Sequence, residues 1–94
     1  MQVTIKSFAN IKEVLGGPEI KAELPQAATI ADLLKLLLET YGPAFDRQIK
    51  DQTSGELVPF LILINDKTYR SITDMAAPVQ DVDVVTLMIP FDGG

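Results

Sequence analysis

The sequence predicts an α+β domain in which one amphipathic helix packs across a mixed sheet of four to five strands. Residues 30–41 repeat apolar side chains at helical spacing, while segments on either side alternate with period two. Glycine and proline punctuate the boundaries between them. With 94 residues and 47% apolar side chains, the chain reads as a single domain spanning 1–94. One core fits in that length; a large enclosed substrate cavity does not.

Residues 2–8 alternate, with Val3 and Ile5 on one face and Thr4 and Lys6 on the other, as in a half-buried strand. Ala9–Leu15 fits a short helix stopped at Gly16-Gly17-Pro18, where glycine can take the left-handed conformation that closes helices. Residues 19–24 alternate again, with Ile20, Ala22 and Leu24 inward and Pro25 as the stop; the short connection suggests an antiparallel pair.

The main helix is expected over about Ile30–Tyr41. Thr29 is its N-cap, and Asp32 stands where a capping box uses Glu or Gln, beside the positive end of the helix dipole. Ile30, Leu33, Leu34, Leu37, Leu38 and Tyr41 form one stripe, with Asp32, Lys35 and Glu39 facing away. That stripe reads as core against the sheet rather than as a partner-helix groove, because nothing else in so small a domain is large enough to cover the sheet. Gly42-Pro43 ends the helix, and a further helical turn places Phe45 and Ile49 on the same side.

The polar residues 51–56 read as a surface loop. Val58-Pro59 leads into a buried strand over 60–64, Asn65-Asp66 forms a tight turn, and residues 68–72 return. A last strand over 81–89 places Val85, Leu87 and Ile89 on one face and Val84, Thr86 and Met88 on the other. The order is strand, strand, helix, strand, strand, strand.

Composition narrows the chemistry. Cysteine and histidine are absent, which removes thiol nucleophiles, disulfides and the commonest metal ligands and general base, so no metal site is expected. A net charge of −5 argues against nucleic acid and favours a basic partner. No apolar run approaches the roughly 18 residues of a membrane span, and Met1 leads straight into a strand pattern, so no membrane contact and a cytoplasmic location are expected. Asp32, Asp74, Asp81 and Asp83 read as caps and turn residues rather than a paired-carboxylate site. Gly93-Gly94 follows the last strand. Two residues without Cβ pass through a channel closed to other side chains and offer a terminal carboxylate for reaction; the ordinary reading of such a pair is a frayed end.

A central helix crossing a mixed sheet, with the first two strands as a hairpin and the last beside the first, is the β-grasp or ubiquitin-like arrangement. Residues 3–9, 13–16, 28–34, 63–66, 77–83 and 89–94, in that order, carry a resemblance over the whole chain to the ubiquitin-like sulfur carriers. These include the small subunit of molybdopterin synthase, the thiamine sulfur carrier and related archaeal modifiers. The length of segment 43–59 favours the molybdopterin branch.

The resemblance implies a carrier or non-catalytic synthase subunit rather than an enzyme. A ubiquitin-activating-type adenylyltransferase would use ATP to adenylate the Gly94 carboxylate, and sulfur transfer would leave a thiocarboxylate. No cofactor is bound, and ATP is used by the activating partner. In the molybdopterin branch the tail enters the large synthase subunit and donates sulfur to a pterin precursor. Gly94 carries the reaction and Gly93 gives access; Pro90 and Phe91 stiffen and seat the tail, and Met88 with Phe60 extends an apolar docking surface. Phe60 also reads as core, and Met88 and Phe91 fit either role. Two residues depart from the family pattern: Val82 replaces a glycine in the loop before the last strand, and Asp92 replaces a small neutral residue. A ubiquitin-like protein modifier conjugated through Gly94, a thiamine carrier and a non-reactive interaction module are the alternatives.

Overall fold

Alternation in β1, Gln2–Lys6, buries Val3 and Ile5 and leaves Lys6 exposed in the computed structural model, which describes residues 1–89. Thr4 points to the other face, yet it too is nearly covered, because the Lys21 ammonium reaches across and donates to its Oγ1 at 2.6 Å. The strand stops two residues before the alternation does. Ser7 turns inward, its N–H donating to the Pro18 carbonyl, and Phe8 becomes the N-cap of α1, Ala9–Leu15. Gly16 closes α1 at φ 87, the left-handed conformation expected of it. β2, Glu19–Glu23, pairs antiparallel with β1, setting Ala22 opposite Val3 and Ile20 opposite Ile5. Leu24 is buried beyond the strand end, its N–H held by the Met1 carbonyl.

α2, Ile30–Tyr41, has the expected bounds, and its capping box is complete. The Asp32 N–H donates to Thr29 Oγ1, and the Thr29 N–H donates to the Asp32 carboxylate at 2.8 Å. Ile30, Leu33, Leu34 and Leu37 are buried, while Leu38 and Tyr41 sit half-buried at the margin of the stripe. Gly42 takes φ 64, and Pro43 opens α3, Pro43–Ile49, which buries Phe45 and Ile49 completely.

β3, Leu61–Ile64, β4, Lys67–Arg70, and β5, Val84–Met88, complete a sheet of order β2-β1-β5-β3-β4. β5 is central, parallel to β1 and antiparallel to β3. One sheet face, carrying Val3, Ile5, Ile62, Ile64, Val85 and Leu87, joins the α2 stripe in a single core. This is a β-grasp fold with a mixed five-stranded sheet.

At three further strand ends the difference from the sequence reading has a hydrogen-bonding reason. β3 begins at Leu61 because the Phe60 N–H is taken by Ser71 Oγ at 2.9 Å instead of by a ladder. β4 ends at Arg70, whose N–H is captured by the Asp74 carboxylate, and Ile72 leaves the sheet. β5 begins at Val84 because a turn consumes the preceding residues. In it the Val82 N–H donates to the Gln2 carbonyl at 2.8 Å, and Asp83 accepts from the Gln80 N–H and the Asn65 amide. Val82 itself sits at φ 61 and is 79% exposed, so the loop keeps the glycine-type conformation without the glycine.

Candidate functional site

β5 ends at Met88, and everything expected to react lies beyond it. Pro90, Phe91, Gly93 and Gly94 fall outside the described residues; Met88 and Phe60 fall within them. The register fixes what surrounds the end of β5. Met88 pairs with Leu61, and Leu61 pairs with Arg70, so these three form one row across the face opposite the core. The next row is Lys6, Thr86, Leu63 and Thr68. Leu61 is 42% exposed and Met88 47%; Phe8 and Ile72, both more exposed still, border the same groove of about 600 Å³. Phe60 is only 4% exposed and lines that groove as a core residue, offering little area of its own.

Sequence reasoning identified Met88 here and missed Phe8, Leu61 and Ile72. Phe8 and Ile72 were assigned to strands that stop short of them, and the continuous apolar run of β3 concealed its two-faced character. The signal was nonetheless available. Ile62 and Ile64 alternate with Leu61 and Leu63, and an antiparallel strand with one open face must expose one of those sets. Clustered apolar exposure of this kind marks a contact surface more than scattered single residues do.

A second groove of about 580 Å³ adjoins the first, sharing Phe8, Ala9 and Ile89 with it and lined by polar residues of α3 and the loop after it. Lys50 there pairs with Asp46 at 2.8 Å. The N–H groups of Ser54 and Thr53 hold the exposed Asp51 carboxyl below its ordinary range. That carboxylate is an acceptor committed to its own loop, not a base. Among the described residues, no three His, Cys, Asp or Glu side chains gather as metal ligands, and no helix is long and apolar enough to cross a membrane. The arrangement suits protein contact beside the end of the central strand.

Comparison with known proteins agrees with this geometry. The family model described as the ThiS family matches residues 5–94. Small archaeal modifier protein 3 of Haloferax volcanii is 30% identical over 95 residues, covering all of both chains. Among solved structures, small archaeal modifier protein 1 of the same organism superposes with TM-score 0.78 at 23% identity, covering 96% of this chain and 98% of that one. A putative molybdopterin converting factor subunit 1 from Pyrococcus furiosus gives 0.74 at 22%, covering 97% and 99%. At those identities the two structures speak to the fold alone.

Proposed function

The chain belongs to the ThiS family of ubiquitin-like sulfur carriers, and on that premise we propose that it carries sulfur on the Gly94 carboxylate. The observation supporting this most directly is the exposed apolar groove of Phe8, Leu61, Ile72 and Met88 at the end of the central strand, which offers a partner a grip where the tail begins. The adenylyltransferase docks there and draws the tail into its channel. Gly93 allows passage, and Pro90 and Phe91 seat the segment behind it. ATP converts the Gly94 carboxylate into an acyl-adenylate with loss of pyrophosphate. A sulfur nucleophile then displaces AMP and leaves the thiocarboxylate. ATP is the activating enzyme's substrate, and no group on this chain serves as base or nucleophile.

Molybdopterin synthesis is the proposed destination, with the tail delivering sulfur inside a large synthase subunit. Support comes from the length of the chain's 43–59 segment. A second reading is favoured by the name of the full-length relative, a modifier protein. In it the same acyl-adenylate is captured by a lysine amine of a target, giving an isopeptide. Intact-mass measurement of the protein recovered from its host separates the two. Free chain with one oxygen replaced by sulfur supports carriage, and covalent adducts to other proteins through Gly94 support modification.

A further inference from the structure

The charged groups around the root of the tail run against the charge of the whole chain. The molecule has 13 acids and 8 bases, yet among the described residues the two grooves that meet at Ile89 are lined by Arg70, Arg47 and Lys50 against a single acid, Asp51. Two of these four are already satisfied. Lys50 is neutralised by Asp46, and the Asp51 carboxylate is turned to the Ser54 and Thr53 N–H groups. Arg70 and Arg47 remain, both exposed and neither within ion-pair distance of a carboxylate among the described residues. They are the chain's only arginines, and they stand one in each of the two adjoining grooves that share Phe8, Ala9 and Ile89.

Arginine is suited to this placement. Its guanidinium is always charged, more weakly hydrated than an ammonium, and matches a carboxylate with two parallel hydrogen bonds. At Arg70, beside the apolar groove, such a pair is partly shielded from water, and at both arginines it sets orientation as well as attraction. Net charge alone favours a basic partner; the local distribution reverses that expectation at the one place where the tail is handled.

Resting on the carrier reading above, we propose that the activating partner presents carboxylates on both sides of its channel mouth, one for Arg70 and one for Arg47. With one arginine in each groove beside Ile89, this pair fixes the direction in which the tail enters. An apolar groove alone would grip the sheet without fixing that direction.

The test is ATP–pyrophosphate exchange by the host's ubiquitin-activating-type adenylyltransferase, with wild-type chain, Arg70→Glu, Arg47→Glu, the double variant and Lys35→Glu. Lys35 is exposed on α2 outside both grooves, and its reversal changes net charge by the same two units. Each arginine reversal is expected to raise the KM for the chain about tenfold with kcat within about twofold, as loss of one close charge pair does. The double variant raises KM further, while Lys35→Glu leaves it nearly unchanged. Raising salt from about 50 to about 300 mM weakens wild type and spares the double variant. Exchange that is indifferent to the arginine reversals, or equally sensitive to Lys35→Glu, overturns the two-arginine inference and leaves the carrier reading standing. Folded wild-type chain that supports no exchange overturns both.

Discussion

Val82 holds a left-handed backbone conformation that costs a residue with Cβ roughly 1–2 kcal/mol, and being β-branched makes it a poor occupant. Its side chain recovers little of this, since the residue is 79% exposed. What retains the conformation is the set of hydrogen bonds around it: Gln2 N–H to Asp81, Val82 N–H to the Gln2 carbonyl, and Asn65 to Asp83 and to the Val84 N–H. Val82→Gly keeps every one of these bonds and removes the strain, against an unfolded-state entropy cost of about 0.4–1 kcal/mol. The expected result is a net gain of up to about 1 kcal/mol in denaturant melts. A loss of stability would show that the valine side chain packs in a way its exposure conceals.

At the scale of the element, α2 supplies the largest single contribution to the core. Leu37 lies in the middle of its buried stripe at 1% exposure, so Leu37→Ala is expected to cost about 2–5 kcal/mol through lost transfer energy and a residual cavity. A melt showing less than about 0.5 kcal/mol would place the helix outside the core. This helix was the most legible part of the sequence. Helical spacing, the Thr29 and Asp32 pair and Gly42-Pro43 all specify the same boundaries, and agreement among local signals is what makes an element readable. Strand ends were less legible because they depend on competitors far along the chain. Ser71 takes the Phe60 N–H from eleven residues away, and the turn at Val82 closes on Gln2, eighty residues earlier. The candidate site divides in the same way. Met88 could be read from alternation within one strand, whereas the row it forms with Leu61 and Arg70 exists only once β5 lies beside β3 and β3 beside β4. Arg47, on a separate helix, is brought near by packing alone.

On the carrier reading, the whole molecule is organised around β5, the central strand that leads to the reactive C-terminal residues. β5 is paired with both β1 and β3 as far as Thr86, and Leu87 and Met88 stay paired with β3, so the strand that precedes the tail is the central one and not an edge. A partner that holds the outer face therefore knows where the tail begins. On this account Met88→Ala weakens adenylyltransferase binding by about 1–2 kcal/mol, as truncation of an exposed anchor at an interface does. It leaves the melting curve nearly unchanged. Calorimetric titration beside a thermal melt checks this, and equal losses in both would assign Met88 to structure rather than recognition.

The most direct test of sulfur carriage removes a single residue. Deleting Gly94 leaves a carboxylate on Gly93, one residue back, or about 3.5 Å along a chain extended in a channel. That is as far as the whole 3–3.5 Å separation reacting atoms require. Wild-type protein incubated with its adenylyltransferase, ATP and a sulfur donor is expected to gain the mass of one oxygen replaced by sulfur, located at Gly94 by fragmentation. The deletion variant is expected to melt like wild type and gain nothing. Sulfur on the truncated chain, or on any group other than the Gly94 carboxylate of the intact one, would contradict the carrier mechanism.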